Sequence, residues 1–248
     1  MKPEAFAGLL AAAALFPAGC APHARDSKSR GSPQPAGGTA AVTPASRQAD
    51  FAPSVLKSTG EWQPLFDGRT LSGWKVTDFA GHGPVSVQNG QIMLGAGAAL
   101  TGMTWTNQPP RPDYEVTLEA MKVDGGDFFC GLTFPAGGSH CSFIVGGWGG
   151  GVVGVSSIDG MDASENETTK FMAFDKGRWY RIRVRVSKSQ IEAWIDDDKM
   201  VDQVITDRKI SMRAGEIEEN VPFGLATWQT SAALRNLRIR QFPATPAQ

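Results

Sequence analysis

Histidine is nearly absent from this 248-residue chain, which holds only His23, His82 and His140. None stands in a metal-ligand spacing such as H-E-x-x-H, so that metallohydrolase signature is excluded. The chain also lacks G-x-S-x-G, and with it the nucleophile elbow of an α/β-hydrolase. Neither sign of charge dominates: 24 Lys and Arg against 25 Asp and Glu give a net charge of −1. Long-range attraction to nucleic acid or to an anionic membrane is therefore not expected. No long amphipathic helical pattern is present. Gly149-x-Gly151-x-x-Gly154 has dinucleotide-fingerprint spacing, but Val155-Ser156-Ser157 follows in place of a helix. No helix N-terminus is then offered to a pyrophosphate. Tyrosine is scarce, two residues against seven Trp; indoles are the rings that stack on sugar faces, though most Trp in a β protein belong to its core.

The amino terminus must be set aside before the fold is read. Lys2 gives a positive start, Ala5 to Phe16 an apolar stretch, and Ala18-Gly19-Cys20 a small-residue site ending in cysteine. The apolar stretch is too short to span a bilayer as a mature helix. Residues 1–19 are read as a lipoprotein-type signal with Cys20 as the lipidated residue. Pro17 departs from the usual aliphatic position, and an ordinary secretory signal is the alternative. Residues 20–60 are rich in Pro, Ala, Ser and Gly without apolar period, the composition of a disordered tether. The expected setting is export, with membrane anchoring at the bacterial cell envelope. His23, in the tether, is discounted for chemistry.

The remaining stretch, 61–243, reads as one all-β domain. The whole chain is 41% hydrophobic, enough to bury a full core, and a domain of about 180 residues hides roughly 70% of its unfolded surface. The central segment from Gly125 to Gly160 shows period-two alternation. Phe128, Cys130, Leu132 and Phe134 share one face, as do Cys141, Phe143 and Val145. The opposite face carries Asp127, Phe129, Thr133, Ser142, Ile144 and Trp148, and is the candidate working surface. A turn at Pro135 to Gly138 sets Cys141 opposite Leu132 and Cys130 opposite Phe143. The thiols are then one step out of register, so either a shifted turn joins them in a disulfide or both stay buried as small hydrophobes.

Other strand signals follow the same rule. Asn89-Gly90 between Val85–Val87 and Gln91–Leu94 marks a hairpin. Tyr114, Val116, Leu118 and Ala120 alternate with Glu115, Thr117, Glu119 and Met121. Tyr180, Ile182, Val184 and Val186 pair with Ile191, Ala193 and Ile195 about a turn at Ser187–Gln190, placing Arg185 opposite Glu192, Arg183 opposite Trp194 and Arg181 opposite Asp196. Such pairs contribute about 0.2–1 kcal/mol each, as on an ordinary solvated face. Phe223–Thr227 and Leu234–Phe242 close the domain. Many short strands with Gly-rich turns predict a β-sandwich. Ser156–Thr169 is an acidic loop, where function concentrates; its Asp159, Asn166 and Glu167 are candidate substrate-binding residues. Asp196-Asp197-Asp198 is either an acidic turn or a calcium site. With histidine scarce, acid/base chemistry falls to carboxylates, and Glu119 and Asp127, on wet faces of candidate strands, are the candidate catalytic pair.

PLFDGRTLSGW at the start of the domain, the strand ending in Glu119, KGRWYRIRVRV running into IEAWIDDDK, and the closing FGLATWQTSAALRNLRIRQF resemble the 3-keto-disaccharide hydrolase domain family over about Trp62 to Phe242. The resemblance implies a two-sheet antiparallel jelly roll of the concanavalin type, also called LamG-like, with carbohydrate on its concave face. It further implies cleavage of a keto-sugar glycoside: a 3-keto group acidifies the C2 proton, a carboxylate base starts elimination across C1–C2, and water adds afterwards. On this reading Glu119 or Asp127 is the base, Trp148 and Trp228 are sugar platforms, and no cofactor is required. Where many members carry Ser-Gly-Ile, an Arg, and Gly-Tyr-Glu, this chain has Cys130-Gly131-Leu132 and Cys141-Ser142-Phe143-Ile144-Val145. Where they carry Leu-Gln and then His, it has Leu225-Ala226 and Trp228. These departures leave open a non-catalytic carbohydrate-binding or surface lipoprotein domain.

Overall fold

The computed structural model describes residues 55–243. The signal, Cys20 and nearly all of the tether lie outside the described residues. Strands dominate, and they form two antiparallel sheets. The first runs β13 (Asp198–Val204), β12 (Gln190–Ile195), β11 (Trp179–Val186), β6 (Tyr114–Gly125), β15 (Thr230–Gln241), β4 (Gln91–Leu94), β3 (Val85–Gln88), with β1 (Gln63–Pro64) on the far end of β15. The second runs β10 (Lys170–Phe171), β9 (Val152–Ser156), β8 (Ser139–Gly147), β7 (Cys130–Ala136), β14 (Gly224–Trp228), β5 (Leu100–Trp105), β2 (Trp74–Val76). This is a jelly-roll sandwich of the concanavalin type.

Alternation decides what lies between the sheets. Tyr114, Val116, Leu118 and Ala120 of β6 and Tyr180, Ile182, Val184 and Val186 of β11 turn inward onto Cys130, Leu132 and Phe134 of β7 and Cys141, Phe143 and Val145 of β8. Phe129, Phe174 and Tyr180 meet edge-on and tilted, with centroids 5.1 to 5.8 Å apart. Full burial of each such side chain stabilises the fold by about 1.5–3 kcal/mol. The hairpin of β11 and β12 has the register expected from its β-branched pattern, with Arg183 opposite Trp194 and Arg185 opposite Glu192. Asn89 and Gly90 both have positive φ, as the β3–β4 hairpin turn requires.

Two expectations need correction. The alternation on β7 begins at Cys130, not at Asp127, because Gly126 to Phe129 forms a bend. Phe129 therefore enters the core and Phe128 faces outward, the reverse of the expected order. The β7–β8 turn centres on Gly137-Gly138, so Cys130 pairs with Val145 and Cys141 with Phe134. Both thiols are free and buried, and desolvation raises Cys130 to about 12 and Cys141 further still. β5 and residues 205–223 give no period-two signal. β5 is buried on both faces, and 205–223 includes a short 3-10 turn, Glu216–Asn220.

That last segment covers part of the second sheet's outer face. Met212 and Ile217 pack on Phe79, Leu100, Phe128, Ile144 and Ala226. Asn220 pins the turn by donating from Nδ2 to Thr77 Oγ1, Thr104 Oγ1 and the Met103 carbonyl at 3.0–3.2 Å. A Cβ at Gly224 would stand 2.5 Å from that amide nitrogen, so the strand beneath must present glycine there.

Candidate functional site

Where the covering segment stops, the outer face of the second sheet opens into a groove of about 570 Å³. That lies in the usual range for a small-ligand pocket. Leu100, Phe128, Ile144 and Ile217 give it an apolar lining, Ser142 and Ser156 add hydroxyls, and Asp127, Trp148, Trp228, Arg213 and Glu216 supply the remaining chemistry. Trp148 and Trp228 are 40% and 38% exposed, unusual for rings in a sandwich whose other large aromatics are mostly buried.

Local structure explains how these groups meet. Trp148 ends the β8 side of the Gly146–Gly151 turn with φ of 48°, a left-handed conformation that bulky residues seldom take. The turn is tight because Gly150, at φ 104°, lies against Gly126: a Cβ there would stand 2.9 Å from the Gly126 carbonyl. Asp127 ties the two segments together. Its Oδ2 accepts the Gly149 amide at 2.9 Å, its Oδ1 accepts the Phe128 amide at 2.8 Å, and its own amide donates to Thr230 Oγ1 at 3.0 Å. Trp228 is held to the same bend through its amide, which donates to the Phe128 carbonyl at 3.0 Å. One carboxylate and two indoles are thus fixed by a shared backbone network. Arg213 supplies the groove's cation. Its Nη1 pairs with Asp162 Oδ2 at 3.0 Å, and its guanidinium stands 5.5 Å from the Trp148 ring centre.

The other sequence candidates lie elsewhere. Glu119 sits on the outer face of the first sheet, bound to Arg235 Nε at 2.6 Å and Asn236 Nδ2 at 3.1 Å. Burial pushes its carboxyl up, but those hydrogen bonds and the charges of Arg235 and Arg181 outweigh it and hold it below its ordinary value. It does not share a cavity with Asp127, so the structure does not bring together the expected pair. Asp159 accepts the Lys209 amide and Arg208 Nε, and Glu167 pairs with Arg208 Nη1; these contacts lower both carboxyls. Asn166 is buried, donating to the Val155 and Met161 carbonyls and accepting from Thr168. Asn166 holds the 157–169 loop together from within, Asp159 and Glu167 fasten it to residues 208–209, and none of the three lines the groove.

Asp196 is bound by Arg178 at 2.7 Å and Asp197 by Arg181 at 2.5 Å. Among the described residues no group of three or more His, Cys, Asp or Glu is placed to hold a metal ion. Neither His82 nor His140 lines the groove, and burial holds His140 below its ordinary value. The residues missed from sequence are Arg213, Glu216 and Ile217. Their one readable signal was the length of the β13–β14 connection, since long structured connections tend to be functional.

A proposed glycosyl hydrolase from Parabacteroides distasonis ATCC 8503 superposes with a TM-score of 0.50 at 12% identity, covering 77% of this chain and 99% of that one. At that identity the likeness is one of fold. The carbohydrate-binding module CBM66 from Bacillus subtilis matches with a TM-score of 0.43 at 13% identity, over 68% of this chain and 96% of that one. No curated protein matches the chain. The family model described as a 3-keto-alpha-glucoside-1,2-lyase-like domain matches residues 61–240, and the chain belongs to that family.

Proposed function

We propose that the groove between Trp148 and Trp228 takes a pyranose and that the domain cleaves keto-sugar glycosides, with Asp127 as the base. The observation that carries this reading is the placement of one rigidly held carboxylate beside two half-exposed indoles over an apolar floor. The indole faces offer stacking surface to the C–H face of a sugar. Asp127, each oxygen holding one backbone amide, keeps lone pairs free to take the acidified C2 proton of a 3-keto glycoside.

The step balances as an elimination. The C2–H electron pair moves into the C2–C3 enolate, the enolate collapses to form C1=C2, and the C1–O bond breaks with its pair on the leaving oxygen. The leaving oxygen takes a proton from water, the hydroxide so formed takes back the C2 proton from Asp127 to restore the base, and addition of a water across C1=C2 of the enone completes a net hydrolysis. Arg213 is the groove's cation for the charge that develops on the C3 oxygen. Family membership supports the substrate class. The lipoprotein-type signal ending in Cys20 supports a place at the cell envelope, exported and lipid-anchored.

A second reading, a carbohydrate-binding domain without turnover, is favoured by one observation: both Asp127 oxygens already hold backbone amides that fasten the Gly126 bend to the Gly146–Gly151 turn, a structural duty that needs no catalysis. The deciding experiment is incubation of the purified protein with a 3-keto-disaccharide, following release of free sugar. Turnover supports the lyase reading. Saturable binding with no release over an uncatalysed control leaves the binding reading, and neither binding nor release rejects both.

A further inference from the structure

The outer face of the first sheet carries a second depression of about 470 Å³, on the opposite side of the sandwich from the Trp148–Trp228 groove. Its origin lies in the strand register. Thr117 of β6 stands between Arg183 of β11 and Arg238 of β15, with Trp194 of β12 beyond Arg183. A short threonine among long side chains leaves a hollow, and Trp62 and Trp194 both line it.

The guanidiniums around that hollow are held in set positions. Arg183 lies 3.8 Å over the Trp194 ring and donates from Nη1 to Glu115 Oε1 at 3.3 Å; Arg240 lies 4.6 Å over Trp62 and donates from Nη2 to Glu115 Oε2 at 2.7 Å. The Glu115 side chain is only 2% exposed, so one buried carboxylate orients two cations from beneath. Four lining arginines face three lining carboxylates, Glu115, Asp196 and Asp197, and Asp196 is also claimed by Arg178. Arg238 is exposed and pairs with no carboxylate among the described residues. The hollow thus holds a guanidinium with no carboxylate partner among the described residues, in a lining that includes two indoles.

We propose that this hollow binds a saccharide bearing an oxyanion, as a uronate carboxylate or a sulfate ester, with the anion on Arg238 and its neighbours and the ring against Trp62, since Arg183 and Lys199 already stand over the Trp194 ring. Guanidinium forks reach two oxygens at once of a planar carboxylate or a tetrahedral sulfate, while the Trp62 indole supplies the apolar contact that an inorganic anion cannot use. The site is independent of the keto-sugar reading, since it shares no residue with the Trp148–Trp228 groove.

Calorimetric titration of the full chain tests it with four probes: tetragalacturonate, a chondroitin sulfate tetrasaccharide, maltotetraose and inorganic sulfate. Binding of either acidic oligosaccharide is expected, weakening as salt rises and falling about ten-fold in Arg238→Gln. Because Arg238 is exposed and makes no ion pair, that variant keeps the fold. Trp62→Ala is expected to weaken the same binding, and Trp228→Ala to leave it unchanged. The proposal is overturned if neither acidic probe binds, if maltotetraose binds as well as they do, or if inorganic sulfate binds equally. It is also overturned if Arg238→Gln has no effect or if Trp228→Ala removes the binding.

Discussion

On the outer face of the first sheet the indoles of Trp194 and Trp62 lie beneath guanidiniums 3.8 and 4.6 Å away, and almost every carboxylate is answered by an arginine or lysine. On the outer face of the second sheet Trp148 and Trp228 stand over an apolar floor, and Asp127 is answered only by backbone amides and not by any cation among the described residues. Both faces come from the same alternation. Their difference lies in what covers them: the first sheet is open to water and laced with ions, while the second is partly roofed by residues 205–223, which turn its outer residues into a small second core. A carboxylate at the rim of that second core is held in place without being neutralised by a cation.

The largest contrast between the faces should appear in kinetics. Once turnover of a 3-keto-disaccharide is established, Asp127→Asn should lower kcat by about 10²–10⁴-fold, the usual contribution of a general base. Glu119→Gln should leave it unchanged, and loss of activity in Glu119→Gln alone would move the chemistry to the other sheet. A smaller contrast concerns stability. Glu115→Ala removes the buried carboxylate that holds the half-buried Arg183 and Arg240 and should cost about 1–3 kcal/mol in urea unfolding; a cost below about 0.5 kcal/mol would mean the guanidiniums simply turn to solvent.

The smallest effect is a pH dependence. The Glu119 carboxyl is held below its ordinary 4.5 in the folded chain, so the unfolded chain takes up the proton first as acid is added. Its stabilisation is present above about pH 4.5 and is lost as pH falls through the lower folded value. Melting temperature measured from neutral pH into that window should fall less steeply in Glu119→Gln than in wild type. An equal slope would show that Arg235 and Asn236 do not hold the carboxylate in solution.

The extent to which this was legible in the sequence follows from periodicity. The β11–β12 hairpin could be read to the residue because Ile182, Val184 and Val186 alternate against arginines, and one-residue slips would bury the charges. Trp148 and Asp127 were assignable to the groove side, yet for Asp127 the reason was wrong: a bend at Gly126, not strand alternation, turns it outward and exchanges Phe128 with Phe129. β5, buried on both sides, has no alternation to find. Arg213 and Glu216 approach the groove from a segment without period, and no local pattern tells where such a segment will lie. Asp159, Asn166 and Glu167 looked like a binding loop because polar residues that fold a loop and polar residues that bind a ligand have the same composition.

The most direct measurement is titration of one 3-keto-disaccharide into wild type, Trp228→Ala, Trp148→Ala and Trp62→Ala, read by calorimetry. The groove on the second sheet predicts binding weakened about three- to ten-fold by either Trp228→Ala or Trp148→Ala and unaltered by Trp62→Ala. Binding that survives both groove substitutions and disappears with Trp62→Ala would contradict it.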